Sequence, residues 1–191
     1  MKKVASVIAM LLIILLLPLY FILLLNRPIF AVLYNLLKLG ELSNLGITSY
    51  LETVNTIVKY FFNFQKYLSL QDLTKIEIYH MFDVKNLFLL GLLVLVVSFV
   101  VFLLFRNSLD ITTRKKIVFT FFIGISVVSF FGLLNFDLLF TLFHKMLFRN
   151  NYWLLDPNTL LIKLFPEQVF MSLGILWIIL SLLFSVLLMI I

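Results

Sequence analysis

Long apolar runs and the places where they break organise this chain. Val4–Leu25, Leu87–Phe105, Ile117–Phe136 and Val169–Ile191 are almost free of charge. Each reaches or nears the roughly 20 residues needed to cross a hydrocarbon core. They predict four transmembrane helices, over about 4–25, 87–105, 117–136 and 169–191. Pro18 predicts a kink in the first. The intervening stretches, 26–86 and 137–168, mix polar and apolar positions at helical spacing. In the first, Ile29–Leu39 reads as a short apolar helix stopped by Gly40. Ser49-x-x-Glu52 is a capping-box pattern that opens a helix through about Phe62, and Thr74-x-x-Glu77 is a second one. The second starts a helix carrying His80, Asp83 and Val84 that runs on toward Leu87–Phe105. Glu77, His80 and Val84 share a face of it, being three and four residues apart.

The stretch 137–168 follows the same logic. Phe140, His144 and Phe148 recur every four residues and predict one helical face. A straight helix from Ile117 to Phe148 would be roughly 48 Å long at about 1.5 Å per residue, more than the hydrocarbon requires. Its His144 end must therefore rise above the bilayer or bend into its plane. Asn150-Asn151 and Asp156-Pro157-Asn158 supply turn chemistry. Pro166-Glu167 suits the first turn of the last span. The fold expected is an all-α integral membrane protein, a single membrane domain over 1–191. It has four transmembrane helices and a helical extracytoplasmic cap built from 26–86 and 137–168. Tyr50, Tyr60, Phe61, Phe62, Phe64 and Tyr67 are expected at headgroup depth.

Composition agrees. The 191 residues are 63% hydrophobic and only 13% charged, whereas a soluble domain is nearer half apolar and a quarter charged. Cysteine is absent, which excludes disulfides, thiolate nucleophiles and cysteine-ligated metals. The opening Met-Lys-Lys resembles a signal peptide. The apolar run behind it is too long for one, and no small-residue cleavage site precedes Asn26-Arg27-Pro28. An uncleaved helix is expected.

Charge sets the expected orientation. Lys2, Lys3, Arg106, Arg114, Lys115 and Lys116 crowd Met1–Lys3 and Arg106–Lys116 against one acid, Asp110, while the two outer segments are close to neutral. Short loops rich in lysine and arginine stay cytoplasmic, so both termini are expected inside and the cap outside. The net charge of +6 then reflects topology and not nucleic-acid binding.

The only histidines, His80 and His144, then lie on the extracytoplasmic side, each flanked by aromatics. Imidazole suits proton transfer near neutral pH. Two on one face make a better case for acid–base chemistry than either alone, since a lone interfacial histidine is usually an amphipathic ring with a wet tip. A zinc centre using a carboxylate of Glu77, Asp83 or Asp156 lacks HExxH-like spacing. The polar neighbours have structural readings too. Glu77 caps a helix, Asp83 caps or pairs with Lys75 or Lys85, Asp156-Pro157 is a turn, and Tyr152 and Trp153 fit an interfacial belt. No GxSxG elbow, P-loop or dinucleotide fingerprint occurs. The spans hold almost no ionisable groups, which argues against a transporter.

Two segments carry a family resemblance: Glu77-Ile78-Tyr79-His80-Met81-Phe82-Asp83-Val84-Lys85, and the run from His144 through Asn151-Tyr152-Trp153-Leu154-Leu155-Asp156-Pro157. The second is followed by Leu161-Ile162-Lys163-Leu164-Phe165-Pro166-Glu167. With the hydropathy layout, they resemble the lipoprotein intramolecular transacylase family (Lit). The resemblance implies an acyltransferase on the outer face of the cytoplasmic membrane of a low-GC Gram-positive bacterium. Its substrate would be a lipoprotein with an S-diacylglyceryl N-terminal cysteine, and membrane lipid its surroundings. The sn-2 acyl chain would move to the cysteine's α-amino group, giving a lyso-form lipoprotein, with no cofactor and no metal. His80 and His144 are the expected catalytic residues. Glu77, Tyr79, Asp83, Phe140, Phe148, Asn151, Tyr152, Trp153 and Asp156 are expected to support them or bind substrate. Phe82 would join the aromatics in folding the headgroup. The alternative is a non-catalytic membrane protein whose cap binds lipid or a partner subunit.

Overall fold

Backbone amides and carbonyls have no water to bond inside a bilayer, so long apolar runs close their hydrogen bonds internally as helices. The computed structural model of the chain describes residues 1–190, the side chain of Leu133 excepted, and among these the regular elements are all helical. In order they are α1 (Lys2–Leu24), α2 (Asn26–Leu36), α3 (Leu39–Ser43), α4 (Ile47–Phe62), α5 (Lys75–Phe105), α6 (Ile111–Leu134), α7 (Phe136–Leu147), α8 (Leu160–Leu164) and α9 (Glu167–Ile190). Four of them, α1, α5, α6 and α9, are long and apolar enough to cross a membrane. Their centres fall where the apolar runs do; their ends differ for local reasons. Helix α5 begins at Lys75 because the capping box before it forms, so the span and the helix carrying His80 are one piece. Helix α6 begins six residues before its apolar run because Asp110 caps it, accepting from the Thr113 amide. The last expected residue of the fourth span, Ile191, lies outside the described residues.

The chain forms two compact units. One comprises Met1–Leu17, Leu93–Asn150 and Ser181–Ile191; the other comprises Pro18–Leu92 and Asn151–Leu180. The second unit has its own core, including Phe30, Leu33, Leu39, Tyr50, Val54, Ile57, Tyr60, Phe61, Met81, Leu161 and Leu164. Helix α4 shows why it joins that core: Tyr50, Val54, Ile57 and Phe61 recur at three- and four-residue steps and are all buried. The Tyr50 hydroxyl donates to the Leu164 carbonyl at 2.8 Å, tying α4 to α8. Burial raises the pKa of this phenol, so it stays a donor.

Two expectations about helix ends in this unit need correction. Gly40 does not stop the first short helix. The break comes at Leu37 and Lys38, which adopts a left-handed conformation (φ 52°), and Gly40 lies inside α3. Glycine is required there for room, since a Cβ would run into the Tyr34 hydroxyl, which donates to the Leu45 carbonyl at 2.7 Å. Ser49 does not cap α4 either. The helix opens three residues earlier from Gly46 in an extended conformation, without a side-chain cap, and Ser49 is already helical. The early start places Tyr50 on the buried face.

In the first unit, Arg114 is 8% exposed and acts as a cap from a distance. Its guanidinium donates to the Leu188 and Met189 carbonyls at 3.1 and 3.5 Å and to the Arg106 carbonyl at 3.1 Å. A cation suits the carbonyl end of a helix dipole. Arg114, counted above only for its charge, thus serves the fold.

Candidate active site

His144 sits in α7, and the element exists because of Asn135. That residue (φ −154°, ψ 88°) ends α6, and its side-chain oxygen accepts from the Leu138 amide at 2.9 Å to begin α7. The chain folds back enough that a Cβ on Gly132 would meet Leu139. Residues 117–148 therefore form two helices and not one straight one, the break falling at Asn135.

Helix α7 places Phe140, His144 and Phe148 in a column. The Phe140 ring centroid lies 3.9 Å from that of His144, with Phe143 at 5.4 Å and Phe148 at 5.6 Å. The imidazole Nδ1 is 2.8 Å from the Phe140 carbonyl oxygen. A carbonyl can only accept, so Nδ1 carries the hydrogen and donates. Two effects then oppose each other. Burial, the larger, disfavours the imidazolium, while the bond to the carbonyl favours it. The net result holds His144 below its usual 6.5. At neutral pH the ring is thus uncharged, with its lone pair on Nε2: the tautomer of a general base. His144 also lies in the last turn of α7, where the helix dipole would favour a cation; desolvation outweighs it.

His80 is on α5 in the second unit, partly buried. One face of that helix is fully committed to the core: Glu77, Met81 and Lys85, at four-residue steps, are 0%, 6% and 5% exposed. Glu77 closes the expected capping box. Its Oε2 accepts from the Thr74 amide at 2.7 Å and hydroxyl at 2.8 Å, and the Glu77 amide donates back to the Thr74 hydroxyl at 3.3 Å. Its Oε1 accepts from the Leu161 amide at 2.8 Å, at the start of α8. Both oxygens therefore hold backbone, and Glu77 supports His80 by fixing its helix, not by bonding an imidazole. Lys85, proposed on sequence grounds as a partner of Asp83, is bonded to backbone. Its ammonium donates to the carbonyls of Asn63 and Gln65 at 2.7 and 2.6 Å and lies 4.5 Å from the centre of the Tyr60 ring. Its position eight residues after Glu77, on the same face, is the signal that marks it as a buried strut. Asp83 is partly buried and three residues beyond His80.

The segment 151–159 lies in the same unit as His80. Tyr152 packs on Tyr79 at 5.4 Å, and Tyr67 packs on Tyr79 at 6.0 Å and on Phe82 at 5.5 Å. Tyr67, expected at headgroup depth, belongs to this aromatic group. Trp153 is buried. Asn151 is exposed, and its carbonyl accepts from the Leu154 amide. Asp156 is exposed and builds a turn, accepting from the Asn158 amide at 2.8 Å, while its own carbonyl accepts from the Thr159 hydroxyl at 2.7 Å. Among the described residues no three His, Asp or Glu side chains are grouped to hold a metal ion. The chemistry available is that of neutral imidazole in an aromatic, poorly hydrated setting.

Residues 4–170 match the family described as "Lipoprotein intramolecular transacylase Lit". Among solved structures, the membrane-integral lipoprotein intramolecular transacylase Lit from Bacillus cereus superposes with a TM-score of 0.80 at 20% identity, over 98% of this chain and 90% of that one. Two variants of the Bacillus cereus protein, with a histidine replaced by arginine or by alanine, superpose with TM-scores of 0.80 at 19% identity. They cover 98% of this chain and 87% and 88% of theirs. No curated protein sequence matches.

Proposed function

Because this chain belongs to the lipoprotein intramolecular transacylase family, we propose that it moves an acyl chain within one lipoprotein molecule. The chain leaves the sn-2 oxygen of an S-diacylglyceryl cysteine and arrives on that cysteine's own α-amino nitrogen. A C–N bond forms and the ester C–O bond breaks; of the two protons the ammonium nitrogen gives up, the first passes through the base to water and the second ends on the glyceryl oxygen. Product and substrate are isomers, so the reaction balances without an outside donor.

An α-amine has a pKa of about 8 and must lose a proton before it can attack. His144 is the base that takes it. The observation that carries this assignment is the 2.8 Å bond from Nδ1 to the Phe140 carbonyl, in a ring kept neutral by burial. His80 supplies the second imidazole, to steady the oxyanion or protonate the leaving glyceryl oxygen. Asp83, one helical turn away, orients it. Attack closes a ring of about eight members, so folding the headgroup matters as much as proton transfer; good orientation contributes roughly 7–11 kcal/mol. Tyr79 and Phe82 on the helix of His80, Tyr152 packed on Tyr79 with Trp153 next to it in the chain, and Phe140 and Phe148 around His144, are the surfaces suited to it. Glu77 and the Asn151–Asp156 turn hold the first group in place. The termini face the cytoplasm and the reaction occurs at the extracytoplasmic face, by the lysine and arginine distribution. The non-catalytic alternative is not favoured, since a partner-binding cap needs no tautomer-fixed, neutral imidazole.

The test is mass spectrometry of a synthetic diacyl lipopeptide before and after exposure to the purified protein. Fragmentation must be included because the total mass is unchanged. Transfer to nitrogen by the parent protein and its loss in His144→Ala are expected; full transfer by His144→Ala would overturn the assignment.

A further inference from the structure

In the first unit, Val7 and Leu11 of α1 face Thr113, Lys116, Thr120 and Gly124 of α6 across a groove of about 490 Å³. From Thr113 to Gly124 is about three turns, or roughly 16 Å. That is close to half of a hydrocarbon core of about 30 Å, so the groove has the length of one acyl chain in one leaflet. Its two ends differ in chemistry. At one end Lys116 is exposed, and both it and Lys3 are near enough to Asp110 to help the Thr113 amide and hydroxyl, the larger influences, hold that carboxyl below its usual range. Two cations against one anion leave this end positive. At the other end is Gly124. A mid-helix glycine costs roughly 0.5–1 kcal/mol relative to alanine, and a Cβ there would meet no protein atom within 4 Å. Protein packing does not use the room; the surroundings of a membrane-spanning helix do.

We propose that this groove binds an anionic diacyl phospholipid of the bilayer. The Lys116 ammonium takes the phosphate, and one acyl chain lies along α6 past Gly124, against Val7 and Leu11. A charge-assisted ammonium–phosphate bond favours such a headgroup, while a zwitterionic choline lipid brings a second cation toward Lys3 and Lys116. None of the residues lining the groove is assigned to acyl transfer.

Native mass spectrometry of the full chain in detergent tests this, with titration by dioleoylphosphatidylglycerol, dioleoylphosphatidylcholine or inorganic phosphate. One saturable phosphatidylglycerol adduct is expected, preferred about tenfold over phosphatidylcholine and weakened about tenfold in Lys116→Gln. It should be lost in Gly124→Leu, whose β-carbon meets no neighbour and whose helix propensity exceeds that of glycine. Equal binding of the two lipids, variants that bind like the parent, or phosphate competing as well as the lipid would each overturn the proposal.

Discussion

At His144 the bond to the Phe140 carbonyl sets the tautomer of the imidazole, and burial lowers its affinity for a second proton. If the neutral ring is the base, activity falls as pH drops through the depressed pKa, and that acid limb lies below 6.5. Stability has the same sign. The unfolded chain binds the proton more readily, so this contribution is complete above 6.5 and is lost as pH falls through the folded value. Phe140→Leu leaves the carbonyl but removes the closest ring, so the acid limb should move up toward 6.5, read as the pH profile of lipopeptide conversion. His144→Ala should lower the rate by about 10²–10⁴. Glu77 behaves differently. Glu77→Ala leaves the buried Leu161 amide without an acceptor and opens the capping box. The expected cost is roughly 1–3 kcal/mol for the amide and about 1 kcal/mol for the cap, visible as a lower unfolding temperature. Lost activity should return on cooling, unlike that of His144→Ala.

Among the elements, the start of α5 was the most legible, because Thr74 and Glu77 close their box within one turn and need no distant partner. Where a helix end depends on a neighbour, local patterns mislead. Ser49-x-x-Glu52 has the right letters, yet the burial of Tyr50 draws α4 back to Gly46. Gly40 looks like a stop and is instead a clearance for Tyr34. Gly40→Ala should therefore destabilise the protein by roughly 1–3 kcal/mol, as overpacking does. Gly174→Ala, with nothing within 4 Å of the added carbon, should be neutral or slightly stabilising; thermal unfolding of the two compares them directly. The break between α6 and α7 rests on Asn135, a residue whose short amide competes well for backbone amides at helix starts.

Over the whole molecule, two measurements bear on how the parts act together. Should both histidines serve one chemical step, the double variant His80→Ala/His144→Ala should be scarcely slower than the worse single variant; additive losses would assign them to separate steps. The absence of cysteine makes topology directly measurable with single cysteines. Asn158→Cys should react with a membrane-impermeant maleimide on intact cells, and Asn107→Cys only after lysis. The four spans, the placement of charge and the capping box before His80 could all be read from the chain, because they depend on hydropathy summed over neighbours or on bonds within one turn. The buried roles of Lys85 and Arg114, the second bond of Glu77 to Leu161 and the neutral state of His144 could not. Each depends on atoms brought close by packing, often from residues tens of positions away. A sequence records which charges a chain carries; whether one stays in water, caps a remote helix or loses its proton is decided by desolvation, which exists only once the neighbours are in place.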